Sequence, residues 1–549
     1  MPNKLRIVPL GGLGEIGKNM MVFEYGRNII IVDTGIMFPE NDMLGIDYII
    51  PDFDYLLEKA NLVRGIIITH GHEDHTGAIT HVLERINAPV YATPLTSGLL
   101  EVKLRQAKML DQVSLNIIEA GDVIKLGPFT VETFHVCHSI PDGIGLGIDT
   151  PVGLVVHTGD FKLDHTPVDG WPPDFAKLAE FSGRGVLALL SDSTNADQPG
   201  WTPSETVIDE AFDHVFAAAG GRIIVATFAS LISRIQQVAH AAQRYGRKMT
   251  ITGYSMSENV KMARKLGYLD VPSDLIISVE EAVKLRPDQV VIMATGTQGE
   301  PSAVLSRLST GRHRQLAVEP GDTIIMSAHP IPGNEEMVHR TINRLFQRGA
   351  NVVYYPIEAV HVSGHASQEE QKLLLNLVRP QFFVPVHGEL RHLHAHAGLA
   401  RHLGIPAENI AVVENGTIIE FDEKGMSIGE RVPGGYVFVD GSGVGDIGPV
   451  VMRDREILAR DGFVLALITR DRETHEIIGE PEIVSRGFIY LRDAEGLITS
   501  AQETMMRVAG GGNGLSAEEL SGDVQEALGK FLYNETKRRP MVFAVVRDV

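Results

Sequence analysis

The sequence predicts an α/β protein with a parallel, doubly wound unit in its middle part. Two observations predict it. Short β-branched runs ending in Gly or Asp recur along the chain, and helix-patterned segments separate them. The first series of runs is NIIIVDTG (28–35), GIIITH (65–70), FTVETFHV (129–136), LVVHTGD (154–160) and VLALLSDS (186–193). The second is RIIVATFAS (222–230), KMTITGY (248–254), QVVIMATG (289–296), DTIIMSAH (322–329) and NVVYYP (351–356). ETVIDEAFDHVFAAA (205–219) and SRIQQVAHAAQRYG (233–246) are helical in pattern, which gives the strand–helix–strand order of a parallel sheet. FFVPVHGEL (382–390) precedes a stretch of strand and turn character. Beyond RVPGGYVFVDGSGVGDIG (431–448) come further strands and a helix, EELSGDVQEALGKFLYNETKRR (518–539), expected to form a separate small α/β domain. RVAGGGNGLS (507–516) is expected to be a flexible loop.

The chain has 549 residues, enough for about three or four domains. With 44% hydrophobic and 22% charged residues it can bury large cores. Neither a long apolar stretch nor a signal-type N-terminus is present, so no membrane association is expected. Cys137, the only cysteine, excludes an intramolecular disulfide and suits a reducing cytoplasm. Acidic residues outnumber basic ones by 70 to 49, for a net charge of −21. That balance argues against a generic nucleic-acid binder, although bound divalent cations can hold a phosphate on an acidic protein.

His70-Gly71-His72-Glu73-Asp74-His75 packs three imidazoles and two carboxylates between a strand and a helix-like run. Imidazole nitrogen and carboxylate oxygen suit zinc and similar divalent ions. A strand-to-helix loop can aim His70 and His72 one way and Asp74 and His75 towards a neighbouring position, which favours two ions. Asp33, His138, Asp160 and His387 also end apolar runs, and strand carboxyl ends converge on one sheet edge. Asp160 is the choice for a bridging carboxylate.

HGHEDH, HSIPD, HTGDFK and PVHGE together resemble the metallo-β-lactamase superfamily. SDSTN (191–195), TFAS (227–230) and HVSGHAS (361–367) narrow the resemblance to its β-CASP nucleases. GGLGEIGKN (11–19), GIDYIIPD (45–52) and KRRPM (537–541) are similar to the ribonuclease J family, nearly end to end.

The resemblance implies an αββα metallo-β-lactamase sandwich of residues 1–208 and 352–455, an inserted Rossmann-like β-CASP domain at 209–351, and a C-terminal α/β domain at 456–549. It implies one ion on His70, His72, His138 and Asp160, and another on Asp74, His75, Asp160 and His387, with Asp33 orienting the cluster. Zinc is the expected metal, with manganese as the alternative. Asp74, Asp192 and His365 are the implied catalytic residues. His361, Val362, Ser363, Gly364 and His365 would hold substrate phosphate, with Ser230 and Arg234 nearby. SGHAS also suits a helix N-cap, and both readings are compatible. The two ions would lower the pKa of a shared water for in-line attack at phosphorus, and His365 would assist the leaving 3′-oxygen. Gly45, Asp47 and Asp440 match positions that bind a structural calcium in some relatives, with a plain turn as the alternative.

The expected function is a cytoplasmic ribonuclease with 5′→3′ exonuclease and endonuclease activity in mRNA decay and rRNA maturation. Single-stranded, 5′-monophosphorylated RNA would be its substrate. Homodimers or homotetramers and an RNA-degradation assembly are implied as partners. The rival readings are a small-molecule metallo-hydrolase and a non-catalytic scaffold. Leu231 and Ser233 depart from the family pattern, so phosphate contacts there are expected to differ.

Three features carry separate expectations. Gly12, Gly14 and Gly17 satisfy G-x-G-x-x-G, but two strands rather than a helix should follow, so a turn beside the metal site is expected. His392, His394 and His396 are expected on a solvated or RNA-near helix. Cys137 is expected in the core, and His135 is a weaker candidate ligand than His138.

Overall fold

The computed structural model describes residues 4–40, 42–300, 303–331, 334–489, 495–511 and 515–549. The chain forms two compact units, Met1–Glu40 with Tyr48–Val437, and Asn41–Asp47 with Phe438–Val549.

Two sheets face each other in the first unit. One runs in the spatial order Gly425–Arg431, Thr417–Asp422, Leu5–Gly11, Met20–Tyr25, Asn28–Val32, Val63–Ile67, Val90–Ala92 and Leu115–Ile117. The other runs Phe382–Val386, Val186–Asp192, Gly153–His157, Ile144–Thr150, Phe129–His135 and Val123–Leu126. Successive side chains of a strand point to opposite faces. Ile7 and Phe23 therefore meet Val131, Leu146 and Val384 between the sheets, whereas Val8 and Val22 face outwards onto Ile79, Val82 and Leu100 of the helices Ile79–Arg85 and Pro94–Gln106. The second sheet turns Phe134 and Val156 outwards onto Phe181, Leu374 and Ala400, from the helices Phe175–Arg184, Gln368–Val378 and Leu390–His402. The result is the expected αββα sandwich.

A third sheet, wholly parallel, orders its strands Lys248–Ile251, Val290–Ala294, Ile223–Ala226, Thr323–Met326 and Asn351–Tyr354. Helices cover both faces: Val207–Ala218, Ile232–Arg244 and Tyr254–Leu266 on one, Val304–Thr310 and Glu335–Gln347 on the other. Burial on both faces is why IIVA, VVIMA and TIIM are uninterrupted apolar runs. The chain leaves the second sheet after Val186–Asp192 and rejoins it at Phe382–Val386, which pairs in parallel with the strand it left and sets Val386 opposite Asp192. That register delivers His387 beside Asp192.

In the second unit the strands Glu482–Arg486, Phe463–Arg470 and Met541–Asp548 form a sheet under the helices Glu495–Gly511 and Ala517–Thr536. The loop expected at 507–516 is corrected in part. Residues 507–511 finish a helix, because Ala509 is buried in the core, and 512–514 lie outside the described residues. Among the described residues no helix is long and apolar enough to cross a membrane.

Candidate metal and phosphodiester site

The loop after Val63–Ile67 carries His70 and His72, and a single helical turn, Glu73–Thr76, carries Asp74 and His75. His72 Nδ1 lies 3.1 Å from both His70 Nε2 and His138 Nε2. Asp160 Oδ2 is 3.8 Å from His70 Nε2 and from His138 Nε2, and 3.1 Å from His75 Nε2. Its other oxygen, Oδ1, is 2.9 Å from His387 Nδ1, and Asp74 Oδ2 is 3.4 Å from His387 Nε2. The structure thus gathers His70, His72 and His138 on one side and Asp74, His75 and His387 on the other, with Asp160 between them.

The donor set fits divalent ions. His387 Nε2 is buried without a hydrogen-bond partner. Burial and the neighbouring imidazoles hold His70 and His138 well below the ordinary histidine range, and burial pushes His72 down to about 4. These rings are neutral, as metal ligation requires. Burial works most strongly against charge on His75 and His387 too, but the surrounding carboxylates, Asp160 with Asp74 and Asp33 at His75 and Asp160 with Asp192 and Asp74 at His387, together outweigh it and raise both. An ion bound there would displace those protons.

Outer contacts aim the ligands. Asp33 accepts from Thr69 N at 2.8 Å and from His75 Nδ1 at 2.8 Å, which leaves His75 Nε2 facing Asp160. His138 Nδ1 donates to the Gly364 carbonyl at 2.7 Å, turning His138 Nε2 to the cluster. A Cβ on Gly364 would stand 2.6 Å from that imidazole, so glycine permits the approach. The segment 361–365 is thereby tied to a ligand it adjoins nowhere in sequence.

Asp192 Oδ2 accepts from His365 Nδ1 at 2.7 Å, and Asp192 Oδ1 accepts from Thr194 N and Oγ1 at 2.9 and 2.8 Å. Burial opposes the charges, yet the pair holds Asp192 low and His365 high. Asn195 Nδ2 and Thr202 Oγ1 donate to the His365 carbonyl at 3.0 and 2.7 Å, and Asn195 Nδ2 also reaches Ser363 Oγ at 2.8 Å.

Not every expected phosphate contact is placed to make one. Arg234 is 1% exposed. Its guanidinium pairs with Glu205 at 2.6 Å and donates to Gln237 Oε1, Ser327 Oγ and the Val360 carbonyl. The expectation of direct substrate contact is corrected: buried and with each of its three nitrogens engaged, Arg234 supports the chain entering 361–365. Val362 packs its side chain into the core, so only its backbone is available. Ser230 is half-buried, and no contact of its side chain accompanies the backbone bond from Ile232 N. Leu231 is buried, and Ser233 lines a small cavity with Cys137 and His138.

Other expectations divide. Cys137 is buried, and burial pushes its thiol up to about 12. His135 turns from the cluster, donating to the Pro172 carbonyl and stacking on Trp171. Leu13–Gly14 pairs with Gly388–Glu389, so the glycine loop braces the residue after His387. His392 and His396 are buried rather than solvated, a correction. They share one helix face at i, i+4, with His396 Nδ1 3.0 Å from Ser193 Oγ, and only His394 is exposed.

Gly45 and Asp440 meet an internal cation. The Arg455 guanidinium pairs with Asp440 and donates to the Leu44 carbonyl at 2.9 Å. It lies 2.7 Å from where a Gly45 Cβ would stand, while Asp47 Oδ2 accepts from Gly441 N at 2.8 Å. The calcium expectation is therefore corrected to a turn closed by arginine.

Sequence reasoning assigned no role to Asn19, whose Nδ2 lies 3.1 Å from the Asp74 carbonyl and 3.2 Å from His75 Nε2. It also missed Thr69, Asn195 and Thr202. Asn19 and Asn195 close the motifs GGLGEIGKN and SDSTN, which is the one signal that pointed to them.

Profiles of known families match along the chain. They are described as the metallo-beta-lactamase superfamily (residues 13–193), the ribonuclease J beta-CASP domain (220–345), a Zn-dependent metallo-hydrolase RNA specificity domain (351–410) and the ribonuclease J C-terminal domain (450–549). Similar curated proteins include ribonuclease J2 of Bacillus subtilis, 42% identical over 99% of both chains. Ribonuclease J 1 of Streptococcus pyogenes is 43% identical over 99% of this chain and 98% of its own. Ribonuclease J of Synechocystis sp. is 41% identical over 99% of this chain and 86% of its own. A crystal structure of a protein of unknown function from Enterococcus faecalis V583 superposes with a TM-score of 0.55 at 16% identity, covering 76% of this chain and 100% of that one, a likeness of fold.

Proposed function

The chain belongs to the ribonuclease J family, and from that premise we propose that it degrades single-stranded RNA from a 5′-monophosphate end and also cuts internally. It is a metal-dependent ribonuclease by family and fold. The observation that carries the finer reading is the bond from His138 to Gly364, which couples one metal ligand to the segment 361–365.

His70, His72, His138 and Asp160 would hold one ion, and Asp74, His75, Asp160 and His387 the other. When bound, the ions supply Lewis-acid charge at the phosphoryl oxygens and lower the pKa of the attacking water. Zinc suits the imidazole-rich set, and manganese suits it as the alternative. The chain's own groups do the rest. Asp192 holds the His365 ring by Nδ1, so its Nε2 is the atom positioned to assist the leaving 3′-oxygen. Ser363 and the backbone at Gly364 offer donors to a phosphate. The family carries with it mRNA decay and rRNA maturation as roles, a cytoplasmic place, and assembly as dimers or tetramers.

The test uses one end-labelled RNA bearing a 5′-monophosphate, a 5′-triphosphate or a 5′-hydroxyl, with wild type and Asp74→Ala. Mononucleotides should leave the 5′ end fastest from the monophosphate and not at all with the mutant. Equal rates for the three ends would sink the 5′-end reading. His365→Ala cleaving at the wild-type rate across pH would remove His365 from the reaction.

A further inference from the structure

We infer that Tyr355, backed by His329, is a stacking platform for a base of single-stranded RNA next to the segment 361–365. The inference rests on RNA being the substrate of the site above. Tyr355 and His329 follow the neighbouring parallel strands Asn351–Tyr354 and Thr323–Met326, whose last residues, Met326 and Tyr354, stand opposite each other. Both rings therefore sit at the carboxyl edge of the inserted sheet, where parallel α/β sheets place ligands.

The rings form a line into the site. Tyr355 is 52% exposed, and its centroid is 4.6 Å from that of His329 at 78°. His329 is in turn 4.7 Å from His361 at 86°. His361 opens the segment whose Gly364 holds the metal ligand His138. Behind the line, Gln298 Nε2 donates to the His329 carbonyl at 2.8 Å and Arg234 holds the Val360 carbonyl at 2.9 Å. An edge-supported tyrosine loses little freedom when a base covers it.

The charge of the chain makes such a contact useful. At −21, the protein draws little affinity for RNA from general phosphate attraction. Stacking needs no charge and accepts every base, because each has a π-face.

The experiment compares Tyr355→Ala, Tyr355→Trp and, as an exposed apolar neighbour, Ile357→Ser on a single-stranded RNA. A parallel set carries 2-aminopurine at successive positions and is read by fluorescence with Asp74→Ala in the background to prevent cleavage. Tyr355→Ala should raise KM about 5- to 100-fold, the range of one lost base–aromatic stack, with kcat unchanged. It should also abolish the quenching of one 2-aminopurine position, while Tyr355→Trp keeps both and Ile357→Ser changes neither. An unchanged KM and quench in Tyr355→Ala, or an equal loss in Ile357→Ser, overturns the platform while RNA cleavage by wild type stands. A wild type that cleaves no RNA overturns the proposed function itself.

Discussion

Two regions of this molecule answer to the same sequence pattern, acidic and polar residues at loop ends, and they meet a cation in different ways. Around Asp160, imidazole nitrogens converge to 3.1 Å of one another and one, His387 Nε2, is buried without a hydrogen bond, 3.4 Å from Asp74 Oδ2. There the positive charge facing the carboxylates sits on titratable rings, His75 and His387, whose protons a bound ion would displace. Around Asp440, the Arg455 guanidinium supplies it, reaching the carboxylate and the Leu44 carbonyl together. A cation site therefore depends on whether a side chain already fills the position, more than on how many acids face it. Arg234 repeats the second arrangement in a buried setting, where its charge is matched by Glu205.

The sharpest way to break the comparison is at Asp160. Asp160→Ala removes the one residue shared by both groups of ligands, so RNA cleavage should fall on the order of 10³-fold or more, with bound metal lost from both positions by elemental analysis. Retention of two ions would show that the groups are independent. Arg234→Ala comes next and acts on stability: a buried Glu205 left with only the longer 3.6 Å pair to Lys162 should cost up to about 3–5 kcal/mol, read by urea denaturation. Arg234→Met with Glu205→Leu should recover most of that loss. If the single and double variants are equally unstable, the guanidinium was acting only through packing.

Asp33→Ala should weaken metal affinity about 10- to 100-fold by freeing the His75 ring, as isothermal titration with zinc would measure. The smallest effect belongs to the arginine-closed turn. Arg455→Ala should cost about 1 kcal/mol, the upper end for a partly exposed pair, and added calcium should leave the wild-type melting temperature unchanged. A rise in that temperature with calcium would mean that an ion, rather than Arg455, closes the turn.

Local patterns in the sequence were enough for the α/β class, the parallel unit and the HGHEDH cluster, and the family resemblance implied the sandwich and the full ligand set. Strand runs such as NIIIV and IIVA are local patterns set by burial, and HGHEDH places four ligands within six residues. Short-range order of this kind survives in any context that buries the runs. The partners of polar groups brought together from afar were set by long-range packing. Arg234 and Arg455 are charged residues whose sequence neighbourhood is silent on whether they face a phosphate, a calcium site or a carboxylate of their own chain. His396 likewise became a core residue because Ser193 and Phe383 met its helix face. Asp33, His138 and Asn195 act through hydrogen bonds to residues such as Thr69, Gly364 and His365, which lie 36, 226 and 170 positions away. Such bonds depend on the register of strands that pair across the whole chain, and a local pattern carries no record of them.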